Sequence, residues 1–135
     1  MSPCILVVDD EPIMQEVLAG LLSNKGYISE KCMDGKQAFR ALTDLEFNLV
    51  ILDLNLPDIN GLEVADFLEM HHPNTPIIFI TGTASAEAIT LEEECKSRSD
   101  RFFLYKPITA NALYDAIDSL VQNSLEKGSP QVSNT

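Results

Sequence analysis

The chain has 135 residues, 45% of them hydrophobic and 22% charged, which is the balance of one globular domain long enough to bury a core. A formal net charge of −12 argues against a nucleic-acid surface, which needs Lys and Arg to displace counterions from phosphates, and against electrostatic attachment to an anionic membrane. No apolar run approaches the ~20 residues of a spanning helix, and Met1-Ser2-Pro3 leads straight into a strand-like run without the layout of a signal peptide.

Residues 4–8 (Cys-Ile-Leu-Val-Val) are a continuous apolar run of strand length. Ile13, Val17, Leu18, Leu21 and Leu22 then form an apolar stripe behind Pro12, which predicts a helix ended by Asn24-Lys25-Gly26. Residues 27–32 read as a second, more polar strand suited to a sheet edge. A helix over 35–45 follows, with Ala38, Ala41, Leu42 and Leu45 facing inward. Residues 48–52 form a third strand ending at Asp53, and a helix over 62–71 is stopped by Pro73. Residues 76–80 form a fourth strand ending at Thr81, followed by a weakly amphipathic helix from 85 to about 96. Residues 101–105 form a fifth strand ending at Lys106, and Leu113, Ile117, Leu120 and Val121 mark a last helix. The first, third and fourth strands are rich in Ile, Val and Leu with little alternation, as in strands buried on both faces of a parallel sheet. Five βα units with right-handed crossovers give a three-layer sandwich over residues 1–124. Residues 125–135, rich in Gly, Ser and Pro, read as a flexible tail.

Function in an open parallel sheet collects at the carboxyl ends of the strands. The first strand ends in Asp9-Asp10-Glu11, the third in Asp53, the fourth in Thr81 and the fifth in Lys106-Pro107. Clustered carboxylates repel, and a hard divalent cation relieves that repulsion. Mg²⁺ takes one or two carboxylates, waters and a phosphate oxygen, so the rim has the composition of a Mg²⁺ and phosphoryl site. Asp53 is the candidate nucleophile, because a carboxylate can attack phosphorus to form an acyl phosphate. Lys106 can neutralise charge on the moving oxygens and Thr81 can hydrogen-bond one of them. Taken singly, the acids are also explained as solvated loop charges, Thr81 as a helix cap and Lys106 as a surface lysine; it is their shared rim that favours chemistry. Cys4, Cys32 and Cys95 are widely spaced and form no Cys-x-x-Cys pair, so they read as small buried residues, reduced in a cytoplasmic protein.

These residues, in this order, resemble the receiver domain of response regulators over residues 4 to about 122. The matching features are the paired acids Asp9 and Asp10, Asp53 followed by Pro57 and Gly61, then Thr81, then Lys106-Pro107. The resemblance implies a flavodoxin-like (βα)5 fold with strand order 2-1-3-4-5 and Asp53 as phosphoacceptor. It implies a Mg²⁺ (or Mn²⁺) ion on Asp10, Asp53 and the backbone carbonyl of Asn55, with Asp9 close by or acting through water. Lys106 would pair with Asp53 or the phosphoryl group, and Lys106-Pro107 would often be cis. Thr81 and Phe103 would form the conformational switch, Phe103 turning inward as Thr81 moves. Phe103 departs from the family's commoner Tyr, Asn55 and Thr83 stand where the family tunes attack by water, and the charged stretch 92–100 departs from a short Gly-Ala turn.

The implied partners are a histidine kinase or histidine phosphotransfer protein upstream, and a protein target or covalently linked output domain downstream. The fourth helix, fifth strand and fifth helix would supply the face for partners or for a dimer. Two other classes compete. An aspartyl-nucleophile phosphatase of the haloacid dehalogenase type usually carries a second Asp two residues after its nucleophile, where this chain has Asn55, which cannot act as an acid. A receiver-like binding module without phosphorylation typically lacks one of the acids or the lysine, and all are present here. A dinucleotide site lacks its Gly-rich turn after the first strand. His71-His72 precede Pro73 and fit a helix stop.

Overall fold

The computed structural model describes residues 3–127. Five strands alternate with five helices: β1 (Cys4–Val8), α1 (Pro12–Asn24), β2 (Ile28–Cys32), α2 (Gly35–Asp44), β3 (Leu49–Asp53), α3 (Gly61–His71), β4 (Ile77–Thr81), α4 (Ala86–Lys96), β5 (Arg101–Tyr105) and α5 (Ala110–Lys127). All pairings are parallel, in the order β2-β1-β3-β4-β5. The predicted (βα)5 sandwich, its strand order and its polar β2 edge therefore stand as read. The predicted element ends agree with the observed ones to within a residue or two, except that α5 runs on to Lys127. The tail beyond 127 and the side chain of Val121 lie outside the described residues. Among those residues, no helix is long and apolar enough to cross a membrane.

The sheet divides the core in two, because alternate residues of each strand point to opposite faces. Ile5, Val7, Ile51, Ile78 and Ile80 pack with Leu18 and Leu22 of α1 and with Leu113, Ala116, Ile117 and Leu120 of α5. Leu6, Val8, Val50, Leu52, Phe79 and Phe103 pack with Ala38 and Leu42 of α2, Val64 and Leu68 of α3, and Ala88 and Cys95 of α4. β3 and β4 are buried along their whole length, which is why they carry no polar alternation before Asp53 and Thr81.

The inward assignments of α1 and α2 are corrected in part. Ile13 is 76% exposed and Val17 43% exposed, since the buried line of α1 runs through Gln15, Leu18 and Leu22. That line has the same i, i+3, i+7 spacing as an apolar stripe but starts on a polar residue. Leu45 is also exposed, because α2 ends at Asp44 and Leu45 is its extended C-cap residue. The charged stretch before β5 is tied down by ion pairs. Arg98 and Arg101 both reach Glu69 Oε1 of α3, at 3.0 and 2.7 Å, and Arg98 Nε also pairs with Asp100.

Candidate functional site

The strand order places the ends of β1, β3, β4 and β5 next to one another, and the site is built from the residues that end them. Asp9 follows β1 and is fully buried; its Oδ1 accepts the Glu11 N–H at 2.8 Å. Gln15 of α1, only 2% exposed, donates its amide to the carbonyls of Val7, Asp9 and Cys32, so a helix side chain pins the ends of β1 and β2. Asp53 ends β3, is 2% exposed, and accepts the Asn55 N–H on Oδ1 at 2.9 Å. Lys106 Nζ donates to Asp53 Oδ2 at 3.0 Å and to Glu11 Oε1, and stands 2.9 Å from Asp9 Oδ2. Thr81 ends β4; its buried hydroxyl donates to the Asn55 carboxamide oxygen at 2.8 Å and accepts the Thr83 N–H at 3.2 Å.

The loop after β3 is fixed at several points. Gly61 N–H bonds to the Leu54 carbonyl, and Asn55 and Asn60 form an antiparallel bridge. The Asp58 carboxylate accepts the N–H groups of Gly35 and Lys36 at the start of α2, contacts that hold its carboxyl below the usual carboxylate range. Asn60 caps α3 through Leu62 N–H and donates to Glu87 of α4. Gly61 is required by close approach: a Cβ there would lie 2.4 Å from the Asp53 carbonyl oxygen and 2.8 Å from Leu54 Cα. Pro57 is exposed in the same loop, and the Lys106-Pro107 peptide is cis.

Charge dominates the rim. Burial pushes the Asp53 carboxyl up, against the Asn55 N–H and Lys106, which favour its ionised form, while the nearby Asp9 adds to the upward push. Burial alone would lower Lys106, but hydrogen bonds and charge from Glu11, Asp9 and Asp53 hold it above the ordinary lysine value. Asp9, Asp10 and Asp53 offer carboxylate oxygens that lie within 4.8 Å of one another. Asp9 Oδ2 is paired with the Lys106 ammonium at 2.9 Å and has no other partner among the described residues. A buried acceptor with unused capacity beside two further carboxylates is the donor set a hard divalent cation takes.

The structure thus brings together Asp9, Asp10, Asp53, Asn55, Thr81 and Lys106. Phe103, 9% exposed, lies in the core cluster on the sheet face covered by α2, α3 and α4, edge-on to Tyr105 at 5.0 Å between ring centres. Three contributors escaped the sequence reading: Glu11 as a lysine partner, the Asn55 side chain as a threonine partner, and Gln15. Charge balance signals the first, since four acids share the rim with one lysine. Cys32 and Cys95 are buried, with thiols pushed up to about 11 by desolvation, and all three cysteines are free.

Comparison with known proteins identifies the family. The response regulator receiver domain model matches residues 5–118. The nitrogen assimilation regulatory protein NtrX of Azorhizobium caulinodans is 31% identical over 115 residues, covering 84% of this chain and 25% of that protein. The sensor histidine kinase RcsC of Salmonella typhi is 31% identical over 109 residues, covering 81% of this chain and 11% of the kinase. Among solved structures, a CheY-like receiver domain protein of Methanospirillum hungatei shares the fold with a TM-score of 0.84 at 24% identity, covering 95% of this chain and all of that one. NtrX from Brucella abortus gives a TM-score of 0.80 at 29% identity, covering 98% of this chain and 30% of that one. A doubly wound parallel sheet with an acid cluster and a lysine at its carboxyl rim defines the class of flavodoxin-like signalling domains. Within that class, the chain belongs to the response regulator receiver domain family of two-component systems.

Proposed function

We propose that the domain accepts a phosphoryl group on Asp53 in a reaction dependent on a divalent cation, and that the aspartyl phosphate switches its affinity for a partner. The carrying observation is a carboxylate only 2% exposed, 3.0 Å from the Lys106 ammonium, inside a cluster of three aspartates at the carboxyl rim. Asp10, Asp9 and Asp53, with the Asn55 carbonyl, would hold Mg²⁺ or Mn²⁺, which supplies charge neutralisation for the phosphoryl oxygens. An Asp53 oxygen attacks phosphorus, and the bond from phosphorus to the donor breaks, its electron pair leaving with the donor atom. The product is an acyl phosphate. Lys106, already against Asp53, faces the new negative charge, and Thr81 is the nearest strand-end hydroxyl able to donate to it. The reading favours a cytoplasmic domain supplied by a histidine kinase or a histidine phosphotransfer protein, with Phe103 and the α4–β5–α5 face carrying the response to a target, a linked output domain or a second copy.

The test is intact-protein mass after incubation with acetyl phosphate, with and without Mg²⁺, for the wild type and Asp53→Asn. One Mg²⁺-dependent adduct that the variant lacks is expected. An adduct of equal yield in Asp53→Asn would place the acceptor elsewhere and sink the proposal.

A further inference from the structure

We infer that the side chain of Asn55 is a positioning residue that stows the Thr81 hydroxyl in the unphosphorylated protein, and so sets how readily the phosphorylated conformation forms. The inference rests on the phosphoacceptor reading above. Thr81 is 1% exposed, so its hydroxyl needs an acceptor within the protein. It has a good one in Asn55 Oδ1 at 2.8 Å; the alternative, the Thr83 carbonyl, is 3.4 Å away. That acceptor is held in place from both sides. The Asn55 N–H is bonded to Asp53 Oδ1, and Asn55 bridges to Asn60, whose own side chain is held by α3 and α4.

The two partners differ in what they lose on separation. Asn55 is exposed, so water replaces the threonine on its carboxamide at little cost. Thr81 is buried and can leave only for another acceptor. An oxyanion on Asp53 is such an acceptor, because Asp53 and Ile80 are paired across β3 and β4 and Thr81 is the next residue. A hydrogen bond to an ionised group is roughly twice as strong as one to a neutral amide, so the hydroxyl transfers when the charge arrives and stays on Asn55 until then. The Thr81–Asn55 bond therefore weighs on the resting side of the equilibrium, and its removal shifts the population toward the switched state.

The experiment is calorimetric titration of beryllofluoride, a tetrahedral phosphoryl mimic that bonds to a carboxylate, at saturating Mg²⁺. It compares wild type, Asn55→Ala, Thr81→Val, the double variant and Asp53→Asn. Asn55→Ala is expected to bind about three- to tenfold more tightly than wild type, the weight of one hydrogen bond. In the Thr81→Val background the same change is expected to have less than about a twofold effect, since the bond is already gone. In metal-free protein, the Thr81 methyl resonance is expected to move in Asn55→Ala, a readout that needs neither cation nor phosphoryl group. Unchanged affinity in Asn55→Ala, or an equal gain in the Thr81→Val background, overturns the inference while leaving the phosphoacceptor reading intact. Absence of beryllofluoride binding by wild type, or equal binding by Asp53→Asn, overturns that reading and the inference with it.

Discussion

The same substitution, glycine to alanine, is expected to have opposite signs at Gly61 and Gly20. Neither glycine has a positive φ, so strain does not enter at either site. Helix propensity favours alanine by about 0.5–1 kcal/mol in a helix interior. At Gly20, inside α1, an added Cβ meets nothing within 4 Å, so propensity acts alone and the variant is expected to gain about that amount. At Gly61 the Cβ would lie 2.4 Å from the Asp53 carbonyl oxygen, roughly 1 Å inside the ~3.3–3.6 Å at which carbon and carbonyl oxygen normally meet. The obstacle is backbone of a fully buried strand rather than the end of a flexible side chain, so α3 must move away from β3. Overpacking of this kind costs about 1–3 kcal/mol, which outweighs propensity and leaves Gly61→Ala less stable. It also displaces the peptide that carries Asp53, the proposed phosphoacceptor; a ~1 Å misplacement can cost about a hundredfold in rate. Urea unfolding of both variants measures the first effect and the rate of Mg²⁺-dependent adduct formation the second. A Gly61→Ala protein with a raised urea midpoint and a wild-type rate would refute the close-packing account.

Further outcomes follow from buried polar groups. Gln15→Leu leaves the Val7 and Asp9 carbonyls without their side-chain donor in a buried place, so a loss of about 1–3 kcal/mol is expected in urea unfolding; an unshifted midpoint would mean these bonds carry no weight. Asp53→Asn is expected to stabilise the cation-free protein at neutral pH, because it removes a charge that burial disfavours while Lys106 keeps Glu11 and Asp9. The folded state raises the Asp53 pKa, so between the unfolded and folded values the native state binds the extra proton, and stability from this group is lost as pH rises through the folded pKa. The advantage of the Asp53→Asn variant over the wild type should therefore shrink as pH falls through that raised pKa, and a pH-independent difference in chemical denaturation would contradict the burial argument. Asp10→Ala is expected to lose most of the rise in melting temperature that Mg²⁺ gives the wild type, since binding to the folded state alone stabilises it; a retained rise would remove Asp10 from the ligand set.

Strand ends were legible in the sequence because a parallel sheet buried on both faces writes itself as apolar runs, and the first polar residue after each run falls on the rim. Asp9, Asp53, Thr81 and Lys106 could be placed together on that ground before any contact was known. Side-chain partnerships within the rim were less legible, because they depend on distances that spacing does not encode. Glu11 reads as one more loop acid until Lys106 is seen to reach it across 95 positions of sequence separation. Gln15 was missed for a different reason. A helix stripe is recognised by apolar residues, and here the buried line begins with an amide placed under three backbone carbonyls. Ile13 and Val17, which satisfied the periodicity, face outward.

The helices that flank the rim differ in how firmly they are packed. α3 buries Gly61, Val64, Ala65 and Leu68, whereas α4, of the same length, buries only Ala88 and Cys95. Elements with few buried contacts move at the lowest free-energy cost. Polar tethers join α4 to both neighbours of the site: Glu87 accepts from Asn60 in the loop after Asp53, and Glu92 accepts from Tyr105, which stands beside Thr81 in the β4–β5 register. Under the proposed function, a displacement of that loop or of Thr81 would reach α4 through these bonds, which are exposed or partly so. In this chain Phe103 has no phenol and is already packed inward, so the hydrogen bond from β5 to α4 is made by Tyr105 two residues later. The aromatic pair, rather than Phe103 alone, joins the strand that leads into Lys106 to α4.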